Sequence, residues 1–210
     1  MFTGIVAEQG TVVETGRAPS DGVASLSFDA PATSIGLTPG GSIAVNGVCL
    51  SATTIQGSVI TVDVMGETMK RTTIGALEPG EAINLERCVP AGGRLDGHVV
   101  QGHVDGVGTV DEREHLGQWH RVRIAVDGGL ARYIAEKGSV AVDGVSLTVT
   151  AVSGADEKKP WFEVGLIPIT LTDTVLGTRM VGSDVNIEVD VLAKYTERLL
   201  AFTTIEGGLR

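Results

Sequence analysis

Along most of the chain, apolar and polar residues alternate in short runs broken by Gly, Pro, Asn or Asp. Ser42–Val45, Val59–Val64, Val122–Val126 and Val185–Val191 carry the clearest alternation, the pattern of strands with one buried face. Asn46-Gly47 and Asp143-Gly144 stand between such runs and predict tight hairpin turns, because both residue types tolerate the positive φ these turns need. Helical spacing is rare. A short helix is expected around Leu130–Ala135. Near the C-terminus Leu192, Tyr195, Leu199 and Phe202 recur at spacings of 3, 4 and 3, with Asp190 able to cap the start and Gly207-Gly208 marking the end. The apolar face of that helix needs a covering surface, on its own chain or on a neighbouring subunit.

The chain is written twice. Gly4–Val12 aligns with Gly102–Val110, five of nine positions being identical. Residues 40–53 align with 137–150, with eight of fourteen identical. Further on, Thr68, Thr72, Gly75, Gly80, Asn84 and Glu86 recur as Thr170, Thr174, Gly177, Gly182, Asn186 and Glu188. The offset grows from 97 to 102, which the charged segment Ala155–Lys159 absorbs as a loop insertion. Two homologous halves of about 97 residues, joined near Arg94–Gly97, are each long enough to hold a core. The expected organisation is a first domain over 1–97, a second over 98–189 and a helix over 190–206.

Subtracting one half from the other exposes candidate chemistry. Ile5 becomes His103, Gly40 becomes Lys137, Asn46 becomes Asp143 and Cys49 becomes Ser146. Two similar faces of unequal chemistry suit a reaction that treats two similar molecules differently. Each residue also has a bland reading. Cys49 fits a buried inert thiol, Lys137 a surface residue beside a turn, and Asp143 a turn former. His115 and His120 fall in a polar, loop-like stretch. His98 and His103 are poorly spaced for a shared metal. Gly106-Val-Gly108 lacks the third glycine of a dinucleotide fingerprint and reads as a turn.

Charge and composition narrow the class. Sixteen Lys and Arg against twenty-six Asp and Glu leave a formal charge of −10, which disfavours nucleic acid or anionic lipid as the main partner. Glycine is abundant, at 29 of 210 residues, as expected of a β-rich chain with many turns. Apolar runs are too short to span a bilayer, and the first residues lack a signal-peptide pattern. Two cysteines make no disulfide framework, so a cytoplasmic setting is expected.

Met1–Val6, Val45–Leu50, Gly97–His103, Val142–Thr148 and Leu166–Pro168 followed by Thr170, together with the duplication, resemble riboflavin synthases of the alpha-chain type. The resemblance runs from residue 1 to about residue 200. It implies an all-β fold of two tandem six-stranded Greek-key β-barrels with a C-terminal α-helix that helps assemble a homotrimer. It implies dismutation of two 6,7-dimethyl-8-ribityllumazine molecules to riboflavin and 5-amino-6-(D-ribitylamino)uracil, by transfer of a four-carbon unit. No metal and no organic cofactor is implied.

Each barrel would bind one lumazine, at a site shared between subunits. Carried over residue by residue, the first-half site is Gly4, Ile5 and Val6, Cys49, Leu50 and Ser51, and Asp63, Val64, Met65, Gly66, Glu67 and Thr68. The second-half site is Gly102, His103 and Val104, Lys137, Ser146, Leu147 and Thr148, and Gly165, Leu166, Ile167, Pro168, Ile169 and Thr170. Phe2 is expected to offer a flat face to the ring. His103 and Cys49, then Ser146, Asp143 and Lys137, are the residues expected to carry chemistry. The chain departs from some relatives at Ile169, where they carry Glu, and at Asp173-Thr174-Val175, where they carry Arg-Thr-Thr. The rival readings are a non-catalytic lumazine- or flavin-binding protein of the antenna type and a flavin-dependent oxidoreductase barrel. The second lacks a following nucleotide-binding domain.

Overall fold

The computed structural model describes residues 1–16 and 22–202. Two closed six-stranded antiparallel barrels account for most of them. The first comprises β1 (Glu8–Thr15), β2 (Val23–Asp29), β3 (Ser42–Val45), β4 (Val48–Gln56), β5 (Val59–Met65) and β6 (Ala82–Arg87). The second comprises β7 (Gly106–Leu116), β8 (Trp119–Ala125), β9 (Ser139–Val142), β10 (Val145–Val152), β11 (Trp161–Leu166) and β12 (Asp184–Val189). Their orders, β1-β2-β5-β4-β3-β6 and β7-β8-β11-β10-β9-β12, are the same. The β2–β5 and β3–β6 pairings skip along the chain, as in a Greek key rather than an up-and-down meander.

Alternation builds both cores. On β5, Ile60, Val62 and Val64 point inward beside Phe28 and Ile43, while Asp63 and Met65 face out. Ile124, Phe162, Val164 and Ile187 fill the second barrel in the same way. Both predicted hairpin turns form, with Asn46, Gly47, Asp143 and Gly144 all at positive φ. The segment 155–159 is an exposed connection between β10 and β11.

Helical structure is short. Helix α1 (Gly66–Arg71) follows β5, and α3 (Pro168–Asp173) follows β11, each running on into a 3₁₀ turn. Sequence spacing misses both because they are too short for an amphipathic stripe to register. Helix α2 covers only Gly128–Ala131, where Asp127 caps the Leu130 amide; the helix expected over 130–135 is displaced and shortened. Helix α4 (Val191–Leu200) is capped by Asp190 as expected. Ala201 and Phe202 form a turn rather than continuing the helix, and the rest of the expected helix, with Gly207-Gly208, lies outside the described residues. His115 and His120 do not lie in a loop. They pair across the β7–β8 ladder, edge to face at 4.8 Å, and Gly106–Gly108 lies within β7 rather than in a turn.

The barrels meet along a pseudo-twofold seam. Gly47 and Gly144 touch there, so closely that a Cβ on either would sit 2.7 Å from the other's amide nitrogen. Asn84 donates from Nδ2 to the Asp143 carbonyl and accepts from the Val175 amide. Asn186 mirrors it, donating to the Asn46 carbonyl and accepting from the Thr73 amide. Asn46 and Asp143 each accept the backbone amide of the following asparagine, at 2.7 and 2.8 Å. The remaining oxygen of Asp143 takes Arg179 Nε at 3.1 Å. At the repeat offset of 102, the counterpart of Arg179 is Leu77. The neutral amide therefore goes with leucine, and the carboxylate with arginine.

Asp143 is fully buried, with its side-chain oxygens occupied. Its difference from Asn46 is accounted for by Arg179, and the expected catalytic role at this position gives way to a structural one. Replacing Arg179 by Leu should cost about 3–5 kcal/mol, the usual penalty for stranding a buried carboxylate. The double variant Asp143→Asn/Arg179→Leu, which copies the first half, should recover most of it in urea denaturation.

Candidate active site

Two chain segments precede the barrels: residues 2–6 and residues 100–104. They pair antiparallel with each other, Phe2 N donating to Val100 O at 2.7 Å and Val100 N to Phe2 O at 3.2 Å. Lying in the seam, each leader reaches the opposite barrel. Ser146 N donates to Gly4 O at 2.7 Å, and Val6 packs on the second core. Cys49 N donates to Gly102 O at 2.8 Å, and Val104 packs on the first core. The contacts demand glycine. At φ near +80°, a Cβ on Gly4 would come within 2.6 Å of Ser146 Cβ, and one on Gly102 within 2.5 Å of Cys49 Cβ.

The expected grouping is therefore corrected by exchange. Gly4, Ile5 and Val6 belong with Ser146 on the second barrel, and Gly102, His103 and Val104 with Cys49 on the first. Sequence alignment of the halves cannot reveal this, because a symmetric exchange leaves every repeat position matched.

Both candidate faces are outer barrel surfaces. On the first, Cys49 and Ser51 of β4 lie beside Asp63 and Met65 of β5, which pair in turn with Ser25 and Val23 of β2. On the second, Ser146 and Thr148 lie beside Gly165 of β11 and Ile167 just beyond it, followed by Arg121 and Trp119 of β8. Leu50, Val64, Leu147 and Leu166 point into the cores and offer only backbone. Gly66, Glu67 and Thr68 open α1, where Glu67 pairs with Arg71; Pro168, Ile169 and Thr170 open α3, with Ile169 exposed. Asp173 ends α3, where Thr172 Oγ1 donates to its carboxylate, and Thr174 caps the following 3₁₀ turn begun by the buried Val175. Phe2 presents no face to a ligand. It is fully buried with Ala44, Val100 and Ala141, and supports Gly102 and Cys49 from beneath.

Chemistry differs between the faces. Cys49 is half-buried; burial pushes its thiol pKa up, with a Ser42 hydrogen bond pulling the other way, so the resting group is a thiol. His103, the residue after Gly102 on the leader, is exposed. Across the seam, Ser146 Oγ lies 2.7 Å from His98 Nδ1. His98 is buried, and Nε2 finds no partner. Burial lowers its pKa, the Asp190 charge opposing, so the ring is neutral near pH 7 and able to take a hydroxyl proton. Gly97 allows this approach, since a Cβ there would meet Ser146 Oγ at 3.1 Å and Thr3 O at 2.1 Å.

Sequence reasoning misses His98 as a partner for Ser146 because it sits in the join between the repeats, where the first half has no counterpart. It also misses Trp119, whose ring edge lies over Gly165. Lys137 is exposed at the end of this face, its amide donating to Val149 O at 2.9 Å. Its φ of +65° occupies a left-handed conformation that the first half fills with Gly40, a strain of about 1–2 kcal/mol for a side-chain-bearing residue. Among the described residues, no three His, Cys, Asp or Glu side chains cluster as a metal site.

A lumazine-binding domain model matches residues 3–88 and again 101–190. The riboflavin synthase of Mycobacterium tuberculosis strain H37Rv is 48% identical over 95% of this chain and 98% of its own length. That of Actinobacillus pleuropneumoniae is 42% identical over 95% of this chain and 90% of its own. The crystal structure of LumP complexed with riboflavin superposes with a TM-score of 0.81 at 27% identity, covering 90% of this chain and all of that one.

His98 gives the candidate site a pH signature. Its folded pKa lies below the unfolded one, so the unfolded chain binds the extra proton and stability falls as pH drops below about 6.5. His98→Gln should flatten the difference in urea midpoint between pH 7.5 and 5.5 relative to the parent chain. An unchanged difference would mean that the ring charges freely when folded.

Proposed function

Because the chain belongs to the riboflavin synthase family, built on a duplicated lumazine-binding domain, we propose that its two unequal faces divide the labour of the lumazine dismutation. The carrying observation is that Gly102, next to the exposed His103, takes the Cys49 amide on one face while Ser146 meets His98 on the other, on scaffolds that otherwise superpose in sequence and topology.

The reaction asks one lumazine to lose a proton from its acidic C7 methyl and the other to accept a nucleophile at C7. His103, exposed on the leader that meets Cys49 through Gly102, suits the proton shuttle. Ser146, or a water held by it, suits the nucleophile, because His98 can take the proton released on attack. Cys49, a neutral thiol, then serves as a polar wall. Backbone groups along 63–68 and 165–170 suit the flat pyrimidine edge, and Ser51, Asp63 and Thr148 the ribityl hydroxyls. Holding two reactants in register supplies roughly 7–11 kcal/mol without any catalytic group.

Neither face is an enclosed pocket: Met65, Ile167 and Ile169 stand exposed on outer barrel surfaces. Stacking two flat rings in the absence of water therefore needs a second surface. Helix α4 exposes Leu192, Tyr195 and Leu200, and Phe202 just beyond it is exposed too, supporting the reading that copies assemble, as a homotrimer, with first-barrel and second-barrel faces meeting between subunits. No described helix is long and apolar enough to cross a membrane, and the two free cysteines fit a cytoplasmic setting.

Incubation with 6,7-dimethyl-8-ribityllumazine and no additive should yield one riboflavin per two lumazines consumed. Binding without riboflavin would favour the antenna-type reading. His103→Gln should slow turnover about a hundredfold without abolishing it, within the range of a lost general acid–base group. Full activity would remove His103 from the mechanism. Leu192→Asp/Tyr195→Asp should lower the mass seen by light scattering to that of one chain and remove activity with it.

A further inference from the structure

Each leader is held by a buried carboxylate rooted in the barrel that its ligand face does not belong to. Glu188, on β12 of the second barrel, accepts the amides of Gln101 at 2.7 Å, Gly102 at 2.9 Å and His103 at 2.9 Å. The same leader carries Gly102 O to the Cys49 amide and Val104 onto the first core, with His103 exposed between them. Just downstream, Asp105 takes Lys194 Nζ of α4 at 2.9 Å and the Val189 amide at 2.9 Å, so the leader is fixed on both sides of His103. Glu86, on β6 of the first barrel, mirrors this. It accepts Thr3 N and Oγ1, both at 2.7 Å, and Gly4 N at 3.0 Å, while Gly4 O meets Ser146.

Converging amides on one carboxylate are charge-assisted and directional, and both glutamates are almost completely buried. An amide in place of either carboxylate keeps one acceptor oxygen and turns an NH₂ group against the backbone donors. We infer that Glu188 is a positioning residue for the first-barrel face, holding Gly102 against Cys49, and His103 next to it, from the opposite barrel, and that Glu86 does the same for the Ser146 face. The inference rests on the proposed division of labour for its functional meaning. The crossed control itself is a property of the fold.

Alkylation of Cys49 by iodoacetamide reads the leader directly, in the full chain carrying Cys88→Ser so that one thiol remains. Without ligand, Glu188→Gln should speed Cys49 modification at least about tenfold, the effect of losing roughly one charged hydrogen bond from the closed leader. Glu188→Asp keeps the charge but falls short of the amides, and should also speed it. That result separates leader release from the simple loss of a negative charge near the thiol. Glu86→Gln should leave the rate within about twofold, since its leader covers Ser146. Equal acceleration by Glu86→Gln and Glu188→Gln, or none by either Glu188 variant, overturns the inference.

Turnover gives the second reading. The double variant Glu188→Gln/His103→Gln should be no slower than His103→Gln by more than about twofold, because both changes remove one function. Multiplicative losses would make Glu188 a merely structural residue. If the parent chain makes no riboflavin, the proposed function fails, while the alkylation rates still decide the crossed control.

Discussion

Buried backbone groups at the barrel seam must be satisfied, and in this chain the Asn46 and Asp143 carbonyls and the Thr73 and Val175 amides are satisfied across it. A closed barrel uses its own ladder hydrogen bonds everywhere except at hairpin turns and connections. The Asn46-Gly47 and Asp143-Gly144 turns are pressed together, with Asn46, Gly47 and Asp143 buried. Asn84 and Asn186 close the account by giving both ends of their side chains to the opposite barrel. Neither barrel could take an apolar residue at these positions without orphaning groups in its partner. The seam is therefore a specific interface, and its fixed geometry lets the two leaders cross it in one register.

From that constraint follows the arrangement of the candidate site. A leader pinned in the seam can present residues only at the adjoining barrel edges, where β4 and β10 begin. Cys49 and Ser146 occupy those edges, at matched positions. The pseudo-symmetry makes two faces of one shape, and departures from it make them chemically unequal. Asp63 on the first face corresponds to Gly165 on the second, and Val23 to Trp119. The first face is the more acidic, and the second carries the aromatic edge and the Ser146–His98 pair. A symmetric scaffold with asymmetric decoration fits a reaction between two copies of one molecule, because binding can be alike while reactivity differs.

Much of the fold was legible in the chain. Period-two alternation marks the strands, Asn-Gly and Asp-Gly mark the hairpins, and the duplication assigns one topology to both halves. What stayed hidden is spatial rather than local. Two six-residue helices carry too few turns to show a stripe. The exchange of leaders is invisible to a repeat alignment, so Gly4 and Gly102 were matched with the wrong barrels. His98 escaped because it has no repeat partner to be compared with. Asp143 misled for the opposite reason: its partner differs, but the compensating change from Leu77 to Arg179 lies 36 residues further along the chain.

That last case bears on how duplicated chains should be read. A charge present in one half and absent in the other marks either chemistry or a paired substitution, and the sequence difference is the same in both. Burial separates them. Asp143, sealed in the seam with both oxygens engaged, can exchange no proton with a substrate, whereas His103, at the position of the exposed Ile5, is itself exposed. Lys137 falls with His103, exposed and holding a backbone conformation that a lysine adopts only at a cost. Of the four differences that first suggested chemistry, three lie on or at the rim of the two faces. The fourth is buried at the seam, where Asn186 and Arg179 of its own barrel engage its carboxylate.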